Sequence, residues 1–450
     1  MAFDADPAIP AGVRAPNAPL GLWASYRAAR RNVLELIPKA AYEETMIPDR
    51  KRGRWIMVMD PPAIDRVLRA REAAYPKSPI LVRLMTPRKG DNLVTTTGEI
   101  WQRQRRALST PFRPRALEAA SPAYERAARM ARDELAGASG TTDVFPAMAR
   151  ASCDVMCDLA LGGRDAIDRE ALAASVEAYV AGLGRISLFD ILGVPNWVPR
   201  PAAWGDGIRR EMDDRADQII AARRERGPST PPDLLDLLIE AEDEGALDAL
   251  EVRNNLLGFL FAGHETTALT LTWALYLLAF DQEVQTRARD EVRALPGEPS
   301  VADLPALDLV RRVIEETLRL YPPAGFLTRT AQEADTLSGH RVREGATVIL
   351  PVYAIHRHAQ IWDAPLRFDP DRFLPARAEK RPRGCYLPFG DGPRICIGAS
   401  MAMAEATVLL ATIIRDVHVR LPDGFRPEPT MWFTLRPATG MPLEIARPDR

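Results

Sequence analysis

The chain has 450 residues, of which 46% are hydrophobic and 27% charged, and its formal net charge is −2. That balance supplies a core large enough to enclose a sizeable ligand and lacks the basic excess that nucleic-acid binding calls for. No Gly/Ser-rich linker, repeat or low-complexity block divides the sequence, so a single domain over residues 1–450 is expected.

The N-terminal stretch MAFDADPAIPAGVRAPNAPLG is rich in Pro and Ala. It has neither an apolar run nor a basic lead-in, so neither a signal peptide nor a membrane anchor is expected. Cys153, Cys157, Cys385 and Cys396 are too few for a disulfide framework at this length, which fits a reducing cytoplasm. A helix is expected over 22–37. RWIMVMDP (54–61) is apolar, β-leaning and closed by a turn signal, so a strand is expected there and a helix over 63–71. Residues 74–97 scatter Ile80, Leu81, Leu84 and Met85 without firm periodicity.

Within 98–112, Trp101 and Arg105 stand four apart on one helical face and can address the same target, while Arg103 and Arg106 fall elsewhere. Taken alone, this is a solvated basic face with one packed aromatic. From 117 to 250 the pattern is helix after helix, broken at Gly162-Gly163, at 193–201 and at 227–233. Cys153 and Cys157 lie four apart in that region, and with no His or further Cys to complete a metal set they read as core.

Residues 252–280 are apolar but interrupted by Arg253, Asn254, Asn255, His264 and Glu265, which describes a buried helix and not a membrane span. At its centre AGHETT (262–267) puts polar groups where they need partners. Two readings stand. The threonines back-bond beside a half-exposed His-Glu pair, or the Thr266 hydroxyl takes the Ala262 carbonyl and Gly263 leaves a gap, giving a bulge with room for a small ligand. In VIEETLRLYPP, Glu316 and Arg319 have the three-residue spacing of an intrahelical pair, and Pro322-Pro323 stops the helix. Residues 324–358 alternate like two or three short strands and include Arg329. His340, His356 and His358 are not spaced as a metal site.

The stretch YLPFGDGPRICIGASMAMAEA then surrounds one thiol, Cys396, with Gly390, Gly392 and Gly398, and Pro393 fixes φ between them. This is a tight loop that lets backbone approach a bulky group. Helical spacing resumes from Ser400, so Cys396 sits just ahead of a helix N-terminus, where partial positive charge favours a thiolate. The tail after Leu421 reads as a small sheet, with Trp432 and Phe433 as pocket wall.

Phe389, Gly392, Arg394, Cys396 and Gly398 match the haem-ligand loop of the haem-thiolate monooxygenases, the cytochrome P-450 superfamily, which the chain resembles over nearly its whole length. The resemblance implies a mainly α (α+β) fold, a large helical body with small β-sheets. It also implies haem b, with Cys396 as axial iron ligand and Phe389, Arg394 and Gly398 around it. Trp101, Arg105 and Arg329 would hold haem propionates. Ala262 and Gly263 would form the oxygen groove, while Glu265 and Thr266 would organise proton delivery to O2. Glu316 and Arg319 would meet Arg372 of the Phe368-Pro370-Arg372-Phe373 segment in a buried network that positions the cysteine loop. The middle of 117–250 would be a substrate lid and 74–97 a mobile segment over the pocket.

The implied activity is insertion of one oxygen atom from O2 into a C–H bond of an apolar small molecule such as a fatty acid or terpenoid. The expected pocket is Leu81, Met85, Leu260, Phe261, Ala324, Phe326, Leu327, Trp432 and Phe433. No flavin or nicotinamide motif is visible, so electrons are expected from an acidic ferredoxin or flavodoxin-type donor with its reductase, docked at Arg103, Arg106, Arg381 and Arg383 on a monomer. Two rivals are a peroxide-driven hydroxylase or dehydratase on the same scaffold, and a haem-thiolate gas sensor. Retention of Glu265 and Thr266 weighs against the first, and the lack of an output module against the second.

Overall fold

A computed structural model describes residues 8–85, 92–113, 116–162, 169, 175 and 206–446. The architecture is mainly α with small sheets, as expected. Helices α1 (Leu22–Arg31), α2 (Pro61–Asp65), α3 (Pro79–Met85), α4 (Gly98–Ala107), α5 (Ala116–Gly137) and α6 (Phe145–Leu161) come first. They are followed by α7 (Asp206–Arg226), α8 (Leu234–Asp243), α9 (Ala249–Phe280), α10 (Gln282–Arg293), α11 (Asp308–Leu320) and α12 (Ala399–Asp416).

Among the described residues, four small sheets flank the helices. Strands β1 (Met46–Pro48), β2 (Trp55–Val58), β7 (Thr347–Leu350) and β4 (Leu327–Thr330) form one sheet in that order. Within it β2 and β7 run parallel, with Trp55 opposite Thr347. Strands β5 (Asp335–Leu337) and β6 (His340–Val342) make a hairpin. Its two turn residues, Ser338 and Gly339, both have positive φ, as a tight hairpin turn demands. Strand β11 (Pro442–Ala446) lies between β3 (Gly140–Asp143) and β8 (His418–Arg420), while β9 (Pro429–Met431) pairs with β10 (Leu435–Pro437). The region 324–358 therefore holds four strands, and the expected tail sheet is two separate ones. The β3 strand interrupts the helical run expected over 117–250.

The helix expected over 22–37 stops at Arg31. Asn32 is buried and extended (φ −159°, ψ 110°), and its amide is used elsewhere. Nδ2 donates to the Pro429 carbonyl at 2.8 Å, and Oδ1 accepts from the Leu34 and Met431 N–H groups at 3.2 and 3.1 Å. A short 3-10 turn, Val33–Leu36, follows. A local period of 3.6 thus gives way to a long-range bracket that ties the N-terminal arm to the tail hairpin.

The long helix α9 begins at Ala249, ahead of the expected 252, because Asp248 and Glu251 form a capping box. The Asp248 carboxylate accepts the Glu251 N–H at 2.7 Å, and the Glu251 carboxylate accepts the Asp248 N–H at 3.0 Å. From Ala268 to Ala279 nearly every side chain is buried, so the helix is wrapped on all faces. It packs against α6, α11 and α12 and forms the spine on which the site is built. Among the described residues, no helix is long and apolar enough to cross a membrane.

Candidate active site

A cavity of about 1340 Å³ opens between α9, the cysteine loop, the β4–β7 sheet and the tail hairpin. Cys396 lies on its wall. The thiol is accessible to the cavity yet sits deep below the outer surface. Burial pushes it up from the ordinary thiol range, while the Gly398 N–H and the charges of Arg105 and Lys77 pull the other way.

The loop that presents Cys396 is held from three sides. The Cys396 N–H donates to the Phe389 carbonyl at 2.9 Å. At Gly392 (φ +72°) the chain passes so close to the Leu68 carbonyl that any Cβ would collide with it, so only glycine fits. Arg69 clasps Asp391 with two hydrogen bonds, at 3.0 and 2.6 Å. The third support is His356. Its Nε2 accepts the Leu387 N–H at 2.7 Å, which leaves Nδ1–H to donate to the Arg319 carbonyl at 3.3 Å. Burial, reinforced by Arg319 and Arg357, lowers the His356 pKa to about 3, so the ring is neutral and this tautomer is the one required.

Behind His356 lies the charge network expected from the sequence. Glu316 and Arg319 are fully buried and Arg372 nearly so. Arg319 donates twice to Glu316, at 2.6 and 2.7 Å, and Arg372 once, at 3.2 Å. Arg319 also holds the carbonyls of His356, Pro365 and Arg367. The network therefore reaches the cysteine loop through one histidine.

Thr266 of α9 also lines the cavity, and its hydroxyl donates to the Ala262 carbonyl at 2.7 Å. The helix runs on without the expected bulge, however. Gly263 lines the cavity, and Met156 of α6 lies so close to it that a Cβ would collide there. Glu265 is buried and ion-paired with Arg436 of β10. Sequence reading missed Arg436, since nothing local connects a strand arginine to an acid 171 residues away. The hairpin that carries it is moored to α9 again where the Trp273 indole donates to the Leu435 carbonyl at 3.1 Å.

A cationic rim closes the third side. Arg329 is buried, lines the cavity and, among the described residues, has no carboxylate partner. Burial lowers its pKa to about 10. Lys77, also missed from sequence, is bridged to Arg329 through the backbone and hydrogen-bonds the Val94 carbonyl. Burial, with Arg329 and Arg394 nearby, lowers its pKa to about 7. Arg394 is satisfied already. It pairs with Glu72 at 2.9 Å, donates to the Thr96 carbonyl at 2.7 Å and lies 4.0 Å from the Trp101 ring centroid. Trp101 and half-buried Arg105 stand behind this layer, and neither lines the cavity. Buried Arg329 and half-buried Lys77, without carboxylate partners among the described residues and set beside an apolar space with the Cys396 thiol, fit a flat metal-bearing group with anionic edges, as haem is.

Of the expected pocket, Leu81, Phe261, Ala324, Phe326, Leu327, Trp432 and Phe433 line the cavity, as do Ala262, Phe389 and Gly398. Leu260 does not; one residue before Phe261 it points about 100° away on the helix and packs into the core with Leu256 and Leu257. The Met85 side chain and most of the expected lid, including 193–201, lie outside the described residues. Two of the four expected docking arginines are committed elsewhere. Arg103 pairs with Glu251 at 2.6 Å, and Arg381 lies over the Trp362 and Phe373 rings and donates to the Arg372 carbonyl. Arg106 and Arg383 remain exposed.

The family model described as Cytochrome P450 matches residues 42–442. Cytochrome P450 132 of Mycobacterium tuberculosis is 31% identical over 409 residues, covering 86% of this chain and 87% of its own. A cyclooctatin synthase of Streptomyces melanosporofaciens is 36% identical over 244 residues, 53% of each chain. Among solved structures, a retinoic acid-bound cyanobacterial CYP120A1 superposes with a TM-score of 0.77 at 25% identity, covering 87% of this chain and 89% of that one.

Proposed function

The chain belongs to the cytochrome P450 family, and we propose that it hydroxylates an apolar small molecule, a fatty acid or terpenoid, with O2 and electrons from a separate acidic donor. One observation carries this reading. A thiol and an acid-alcohol pair line one apolar cavity, and its rim holds Arg329 and Lys77, which have no carboxylate partner among the described residues.

The family uses haem b and O2, and when bound the haem supplies the electron and oxygen chemistry. Cys396 would hold the iron, while Arg329 and Lys77 would meet the carboxylates with Trp101, Arg105 and Arg394 packed behind them. Thr266 spends its proton on the Ala262 carbonyl, so its oxygen is left to accept a hydrogen bond from the cavity side. Glu265, on the same turn, is held by Arg436, whose side chain is 23% exposed. A proton from solvent therefore has a path of charged groups to the cavity wall. Apolar walls made by Phe261, Phe326, Leu327 and Phe433 suit a lipid or terpenoid. The retinoic acid bound in the solved structure is a molecule of that class.

Arg106 and Arg383 are the cations available for an acidic ferredoxin or flavodoxin-type donor. The test is turnover of a lipid and terpenoid panel with a surrogate donor and reductase under isotopically labelled dioxygen. The expected product carries one labelled oxygen, and its rate falls with ionic strength and on Arg106→Glu or Arg383→Glu. Product that forms only with peroxide, or carries oxygen from water, contradicts the reading.

A further inference from the structure

Two side-chain amides at the wall of the cavity have hydrogen-bonding capacity that the chain leaves unused. Asn92 lies in the turn before α4 and Asn254 on α9, and both line the cavity. The Asn92 amide is locked in orientation, because its Oδ1 accepts the Val94 and Thr95 N–H groups at 3.0 and 3.1 Å. Nδ2 is therefore its free end, and it makes no hydrogen bond among the described residues. That nitrogen stands 3.5 Å from where a Cβ on Gly258 would be. The turn is moored to α9 where the Asn255 Oδ1 accepts the Leu93 N–H at 2.8 Å. Asn254 precedes Gly258 by one helical turn, on the same face of α9. It is 6% exposed, and its Nδ2 is buried without a partner.

A buried polar group left unsatisfied is costly and rare in a native structure, so these amides call for a partner. Asn92 presents a donor, which asks for an acceptor oxygen. The Asn254 amide can turn about its broad terminal torsion to meet the same atom. Charge then decides the kind of oxygen. Among the described residues, the cations lining the cavity are Lys77, Arg329 and Arg394, at the rim where the haem carboxylates would sit. The other charged residues lining it are acids, namely Asp158, Asp213, Asp233, Glu265 and Glu405. A carboxylate at the two amides would be buried with no cation of its own, whereas a hydroxyl or carbonyl oxygen carries no such cost.

We propose that Asn92 and Asn254 form a clasp for one neutral oxygen, hydroxyl or carbonyl, on an otherwise apolar substrate. This rests on the monooxygenase reading and narrows it, to an alcohol or ketone of lipid or terpenoid type and away from a free fatty acid. Asn254 lies 12 residues before Thr266 on α9, which is about 18 Å along the helix axis. The clasp thus holds the oxygenated end of the substrate away from the acid-alcohol pair, so the C–H bonds offered for reaction are those remote from that end.

Dissociation constants of dodecane, dodecanol, methyl decyl ketone and dodecanoic acid for the haem-loaded protein, measured by calorimetry and by the spin shift each induces, test the clasp. The native protein should bind the alcohol and the ketone roughly tenfold more tightly than the hydrocarbon, the worth of one or two net hydrogen bonds. It should also bind both more tightly than the acid. Asn254→Leu removes one amide at similar volume. Asn92→Asp keeps the oxygen that holds the turn and replaces the free N–H with a second acceptor. In either variant the ketone should lose its advantage over the hydrocarbon, and hydroxylation of the ketone, confined to one stretch of chain in the native protein, should spread over more positions. Equal affinity for ketone and hydrocarbon in the native protein, a ketone preference that survives either substitution, or tightest binding by the acid overturns the proposal. Should Asn92→Asp fail to fold, the Asn254→Leu ratio decides. A native protein that never yields a haem-thiolate spectrum would instead count against the monooxygenase reading, with the calorimetric ratios still deciding the clasp.

Discussion

Glu265 and Thr266 occupy consecutive positions on α9 but have different bonds to make. Thr266 back-bonds to Ala262, so Thr266→Ala removes a hydroxyl without stranding a buried donor. Haem content should be unchanged, and reducing equivalents should appear as peroxide instead of product, measured as the ratio of product to reductant consumed. Arg436→Leu acts differently. It leaves a buried carboxylate without its cation, at a cost of about 1–3 kcal/mol in denaturant unfolding. It should also increase the solvent isotope effect on turnover, because the charged path from the surface is cut. Cys396, Glu265 and Thr266 were legible in the sequence because their signal is local, a fixed spacing of a few residues. Arg436 and Lys77 were not, since each owes its place to a strand brought alongside from far along the chain.

Between α11 and the cysteine loop, position is transmitted through Glu316, Arg319 and His356. Glu316→Gln leaves Arg319 and Arg372 buried with the charge of their carboxylate gone. Removing one member of such a buried set costs about 3–5 kcal/mol. Urea unfolding of the variant should show a loss of that size, and haem should dissociate from it more readily than from the native protein. A surface-like cost below 1 kcal/mol would mean that the network does not set the loop. The Glu-x-x-Arg spacing of this element was readable, but its link through His356 was not, because a histidine gives no sign of which backbone group it will meet. Helix existence was equally readable and helix ends less so. The helix from Leu22 stops early because Asn32 caps the next turn and grips the tail hairpin. Similarly, β3 is a strand because β11 pairs with it, not because of its own Gly-Thr-Thr-Asp sequence.

At the scale of the molecule, burial makes folding pH-dependent. His264 and His356 have pKa values lowered to about 4 and about 3, against 6.5 in an unfolded chain. Between those values the unfolded state binds the extra protons, so both residues stabilise the fold above pH 6.5, and that contribution is lost as the pH falls. Glu405, shifted upward, acts in the opposite sense above the ordinary carboxyl range. The difference experiment isolates one group. In His264→Asn, the slope of unfolding free energy with pH between about 4 and 6.5 should be shallower than in the native protein by about 1.4 kcal/mol per pH unit, one proton's worth. An unchanged slope would mean that His264 is not held neutral by burial.

The role proposed for Cys396 is that of a thiolate ligand to iron. It is tested most directly by the optical spectrum of the reduced, haem-loaded protein under carbon monoxide. The native chain should give the red-shifted Soret band of a thiolate-bound haem, and Cys396→Ser should lose that band. A Cys396→Ser spectrum identical to that of the native protein would contradict the account.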